Sequence, residues 1–164
     1  MKSDEKRPAS LFLLLFLLIV QAIGAIGGGL SLVLSPSGEI MHMSTSMLKG
    51  SPFESFLVPG IILLMVLGVF PAFIAWALMI RPGWRWPGAI NVYKGIHWVW
   101  TFSLYLGIML ATWIYIEIVF IPFDILQTIF GLVGMAIIIA TLLPANMVYF
   151  GWKKNIQSQI NRPG

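Results

Sequence analysis

The chain has 164 residues, of which 59% are hydrophobic and only 10% charged, with a formal net charge of +4 at pH 7. Soluble domains carry about 25% charged residues, so this composition leaves too little polar surface to clothe a fold in water. Cysteine is absent, which excludes disulfides, thiolate metal sites, iron–sulfur clusters and cysteine nucleophiles within the chain.

Apolar segments of roughly 20 residues are needed to cross a bilayer as helices. Four are present, over about residues 10–34, 52–80, 92–121 and 125–152. Lys2, Lys6 and Arg7 precede the first. A basic start followed by Leu11–Val20 resembles a secretory signal, but the apolar run continues to Leu34, longer than a signal core, and reads as a span. Within it Gln21, Gly24, Gly28 and Ser31 share a helical face, and Gly24–Gly28 is a GxxxG pair.

The first connection opens on the turn signal Pro36-Ser37-Gly38. Met41 to Lys49 reads as a short amphipathic segment stopped by Gly50. Met41, His42 and Met43 are weak candidates for a soft metal such as Cu(I). The same thioethers suit packing on a helix rim. Ser51-Pro52-Phe53-Glu54 reads as a capping box with proline at the first helical position, which starts the second span at Pro52. Pro59 and Pro71 then predict a kinked helix whose freed carbonyls are re-satisfied by neighbours. Gly60, Leu64, Gly68, Pro71 and Ala75 form a mostly small-residue face on it.

Arg81, Arg85 and Lys94 surround the second connection, bracketed by Trp76, Trp84, Trp86, Trp98 and Trp100, which read as an interfacial aromatic belt. In the third span Glu117 lies roughly 7 Å inside the helix end at 1.5 Å per residue. An intramembrane carboxylate is a functional candidate. Here it is also shallow enough to reach the interface or to pair with Lys49. Thr101, Tyr105, Thr112 and Tyr115 lie on a nearly opposite face, as a polar cavity lining or as hydroxyls bonded back to carbonyls. Asp124-x-x-Gln127 reads as the cap of the fourth helix, with Gln127, Gly131, Gly134, Thr141 and Ala145 on one face. Gln21 and Gln127 are candidates for hydrogen bonds between helices.

Nine cationic residues lie at one side of this arrangement and only Lys49 at the other. The positive-inside rule then predicts a cell-membrane protein with cytoplasmic N- and C-termini. Cations spread along one membrane face predict anionic lipid contact rather than nucleic-acid binding. His42 and His97 fall on opposite sides, so they cannot share one haem iron, and no cofactor is called for. HExxH, GxSxG and P-loop motifs are missing.

The stretch "GGGLSLVLSPSGEIMHMSTSMLKGSPFESFLVPGIILL" resembles a group of uncharacterised small four-span bacterial membrane proteins with a GG…L…DPSG…SPF.DF.IPG pattern. Ser35 stands where that pattern has Asp. A weaker resemblance in topology is to DoxX-like four-helix membrane proteins, without the acidic residue these often carry in helix two. The resulting expectation is an all-α, four-helix integral membrane bundle forming a single domain. Its expected role is non-enzymatic, acting through helix packing with lipid or protein partners, a second copy of the chain included. Two alternatives stand beside it: a permeability protein for a small solute using Glu117, and an intramembrane enzyme or redox accessory subunit.

Overall fold

The computed structural model describes residues 7–151. Lys2, Lys6, Lys153, Lys154 and Arg162, five of the nine cations counted above, lie outside them, as does Trp152 at the end of the fourth expected span. The described residues form helices and turns, with no strand among them. Four helices are long and apolar enough to cross a membrane: α1 (Ala9–Leu34), α2 (Leu57–Ile80), α3 (Trp98–Phe120) and α4 (Ile125–Leu142). A six-residue helix, α5 (Pro144–Tyr149), follows.

Between 28% and 39% of the most apolar window of each long helix is buried inside the protein. The remainder faces outward and is just as greasy, with Phe16, Ile23, Val119 and Leu132 each more than 60% exposed. Outward apolar surface on this scale needs a hydrocarbon solvent. The structure therefore agrees with a membrane location.

In such a solvent, helices associate through close packing rather than through apolar burial from water. The antiparallel α1–α2 contact shows this directly. A Cβ on Gly29 would lie 2.6 Å from the Leu64 backbone, one on Gly60 would lie 2.8 Å from Leu32, and one on Gly68 would lie 2.9 Å from Ile26. The face predicted on the second helix is thus the contact face. On α1 the assignment shifts by one residue. Gly29, not Gly28, meets the partner backbone, while Gly24 turns toward Phe130 of α4. The α3–α4 hairpin uses Gly107 against Ile138 and Gly134 against Leu110 in the same way.

Three boundaries differ from those read in the sequence. The second helix starts at Leu57 rather than at Pro52. Ser51 Oγ accepts from the Phe53 N–H at 3.3 Å, and so closes a local turn instead of a capping box. Phe56 is buried with Leu32 and Leu48, and its N–H donates to the Pro36 carbonyl at 2.9 Å. The loop therefore folds onto the helix ends instead of extending the helix. The third span begins at Trp98 rather than Val92, because Asn91 ties residues 91–96 into a turn. The fourth ends at Leu142, because Pro144 cannot continue the ladder and begins α5.

Pro59 falls in the first turn of α2, where its missing N–H costs nothing. Pro71 acts differently. The turn before it, Met65–Val69, widens to a π-helical turn in which the Phe70 N–H reaches back to the Met65 carbonyl. At the fourth helix the predicted cap is present. Asp124 Oδ1 accepts from the Leu126 N–H at 2.8 Å, and the Asp124 N–H donates to Gln127 Oε1 at 3.1 Å, completing a capping box.

The first connection is two short 3₁₀ turns, Glu39–Met41 and Thr45–Leu48, in place of one amphipathic segment. Met41, Met43 and Met47 pack against the Leu32–Leu48–Phe56 cluster. That packing engages the thioethers considered above for a soft metal.

Candidate functional site

The structure does not bring the five polar candidates together. Gln21 is 1% exposed and its Nε2 donates to the Leu67 carbonyl at 3.1 Å. Gln127, expected as an interhelical tie, is consumed by the cap of its own helix. Thr112 is exposed on the outward face of α3. The Tyr105 hydroxyl donates to the Ile90 carbonyl at 3.3 Å, near the opposite end of that helix from Glu117. Glu117 Oε1 accepts from Trp113 Nε1 at 2.7 Å, one turn earlier, so its partner among the described residues is the indole and not Lys49.

Two asparagines that the sequence reading passed over hold key positions. Asn146 is fully buried, and its Nδ2 donates to the Ala140 carbonyl at 2.8 Å. Ala140 lies four residues before Pro144, which has no N–H to offer it; its carbonyl takes this amide together with the Leu143 N–H at 3.4 Å. Asn146 Oδ1 accepts from Ser10 Oγ at 2.8 Å, tying α5 to the start of α1. Asn91 is 6% exposed and fully engaged. Its Nδ2 donates to the Ile96 carbonyl at 2.9 Å, and its Oδ1 accepts from Thr101 Oγ1 at 2.7 Å and from the Tyr93 N–H at 3.1 Å. The available signal for Asn146 was its place two residues after a proline inside an apolar run.

The features that do converge lie at the end of the molecule formed by the start of α1, the α2–α3 connection and α5. Arg81 terminates α2 in the left-handed region, with φ of 51°, unusual for a residue with a side chain. Its guanidinium donates to the Tyr149 carbonyl at 3.2 Å and lies 4.3 Å from the centre of the Tyr149 ring. These contacts fasten the end of α2 to α5. The His97 N–H donates to the Phe150 carbonyl at 3.1 Å, and its Nδ1 caps α3 by accepting from the Val99 N–H. Burial, and then the positive charge of Arg81, push the His97 pKa down to about 4, against a smaller opposing effect from its hydrogen bond to Pro82. At neutral pH the imidazole is uncharged.

The aromatic belt is only partly an interface feature. Trp76, Trp84 and Trp86 are exposed, as expected for a belt. Trp98 and Trp100 turn inward instead. Trp100 is 1% exposed and donates to the Thr141 carbonyl at 2.8 Å, and Trp98 donates to the Pro82 carbonyl at 3.2 Å. Trp84 stacks on Trp98 at 6.2 Å with the ring planes 5° apart, which joins the exposed and buried sets.

Two adjoining cavities open at this end. One, of about 400 Å³, lies between Arg81, His97 and Tyr149. The other, of about 420 Å³, lies between the α2–α3 connection and the start of α3, with Arg85, Lys94, Trp84 and Trp98 in its wall. Neither is lined by Glu117, Gln21 or Gln127. No family model, curated protein or solved structure matches the chain.

Proposed function

We propose that the protein is a non-enzymatic integral membrane protein of the cell membrane, a four-helix bundle with cytoplasmic N- and C-termini, that acts by packing against lipid or protein partners. The observation that carries this reading is the use made of buried amides, one inside a span and one in the short helix that follows the last span. Gln21 and Asn146 each donate to the carbonyl that a proline leaves without its usual donor. Buried amides spent on the backbone build a scaffold and leave little for solute chemistry. The charge pattern supports the orientation, since Arg81, Arg85 and Lys94 belong to the end where the chain also begins.

One observation favours a second reading, passage of a small solute. Gln21 Oε1 is buried and has no hydrogen-bond partner among the described residues, so an acceptor stands ready at the π-helical turn. Purification in a mild detergent followed by native mass spectrometry tests the first reading, with bound lipid or a co-purifying membrane protein expected. Solute flux into liposomes that depends on the protein and is abolished by Gln21→Leu would replace it with the second. Cysteines placed at Ser37 and Gly88 are expected to label from opposite sides of intact cells. Labelling of both from outside would refute the orientation.

A further inference from the structure

We propose that the cavity between the α2–α3 connection and the start of α3 binds the phosphate group of an anionic phospholipid headgroup, with Arg85 and Lys94 as its charged ligands. The inference rests on the membrane reading above and gives the lipid contact a place and a chemistry.

Arg85 and Lys94 are nine positions apart in the chain, and both line this one cavity of about 420 Å³. The fold brings them there. Asn91, pinned to Ile96, Tyr93 and Thr101, fixes the turn that carries Lys94, and the Gly88 N–H bond to the Arg85 carbonyl at 3.1 Å fixes the turn that carries Arg85. Neither cationic group is engaged by a hydrogen bond or ion pair with any described residue. The acidic residues among those described are Glu39, Glu54, Glu117 and Asp124, and all belong to the opposite end of the helices, where they cannot neutralise the cavity.

Two further features suit an anion. The cavity wall includes His97 and Trp98, the cap and first residue of the 23-residue α3, so the positive end of that helix dipole is at the cavity. Gly83 and Gly88 in the wall have nothing within 4 Å of where a Cβ would stand, which leaves room beside the backbone. Trp84, exposed and stacked on the buried Trp98, provides an apolar floor for the glycerol and upper acyl chain of a lipid. A guanidinium, an ammonium and a helix N-terminus around one opening match a phosphate diester better than a neutral headgroup. Free inorganic phosphate shares that charge but has no use for the tryptophan floor.

The test uses the full chain reconstituted in phosphatidylcholine vesicles containing phosphatidylglycerol, with native mass spectrometry counting the phosphatidylglycerol retained. The double variant Arg85→Gln/Lys94→Gln is expected to lower apparent affinity for phosphatidylglycerol by about tenfold or more. The charge-matched variant Arg7→Gln/Lys49→Gln removes two cations outside the cavity and is expected to change it little. Equal losses in the two variants, or no loss in the first, would overturn the site, because attraction would then follow net charge alone. A second arm titrates inorganic phosphate into lipid-free protein in detergent. Saturable binding of phosphate that is lost in the Arg85/Lys94 variant, without any preference for phosphatidylglycerol in vesicles, would overturn the lipid as the source. Failure of the membrane reading itself has a separate signature: the wild-type chain and both variants alike would not float with the vesicles.

Discussion

Gln21 Nε2 donates to the Leu67 carbonyl oxygen at 3.1 Å, across the α1–α2 contact. Leu67 lies four residues before Pro71, so its carbonyl is the acceptor that proline cannot serve. The bond links a polar residue in one span to a helix breaker in another and accounts for the presence of both in apolar surroundings. Asn146 and Pro144 repeat the solution at the other break, through Ala140.

Replacing Gln21 by Leu is therefore expected to destabilise the protein by about 1 kcal/mol, the scale of hydrogen bonds between helices in membranes. The effect is expected to shrink when Pro71→Ala restores the missing N–H. A double-mutant cycle of unfolding in mixed micelles measures this coupling. Strict additivity of the two substitutions would show that the amide does not act through the proline.

Gly29 and Gly27 provide a matched pair on α1. A methyl group at Gly29 would meet the Leu64 backbone at 2.6 Å, whereas one at Gly27 meets nothing within 4 Å. Gly29→Ala is expected to cost about 1–3 kcal/mol by forcing two backbones apart. Gly27→Ala should be neutral or stabilising by up to about 1 kcal/mol through helix propensity. Thermal unfolding in detergent checks both, and equal effects would argue against the close α1–α2 crossing.

The two candidate caps are expected to separate cleanly. Asp124→Ala removes a formed capping box and should cost about 0.5–2 kcal/mol. Ser51→Ala removes only a local turn bond, six residues before the helix starts, and should stay within about 0.5 kcal/mol. A large loss at Ser51, measured in the same unfolding assay, would restore the earlier helix start.

His97 should make stability fall in acid. Its folded pKa, about 4, lies below the ordinary value of 6.5. The unfolded chain therefore binds the proton first, and stability is lost as the pH falls from about 6.5 towards 4. His97→Asn keeps a side-chain acceptor for the Val99 N–H without a titrating group. It is expected to flatten this part of the pH profile while leaving stability at pH 8 nearly unchanged. Persistence of the acid slope in the variant would assign it to another group.

The sequence by itself determined the apolar character of the chain, the number of long apolar helices and the small-residue face of α2. These follow from composition and from periodicity along one helix, both properties of neighbouring residues. The Asp124–Gln127 cap was legible for the same reason, since its donors and acceptors lie within one turn. Tertiary structure alone decided which polar side chains would meet. Gln21 finds its acceptor 46 residues away, and Asn146 joins Ser10 across 136, pairings set by how helices cross rather than by spacing in the chain. It also decided against the helix start at Ser51, because packing Phe56 against Leu32 and Leu48 outweighed a cap of about 1 kcal/mol. Arg85 and Lys94 were legible as charges, but their shared cavity exists only because Asn91 folds the loop between them back onto α3.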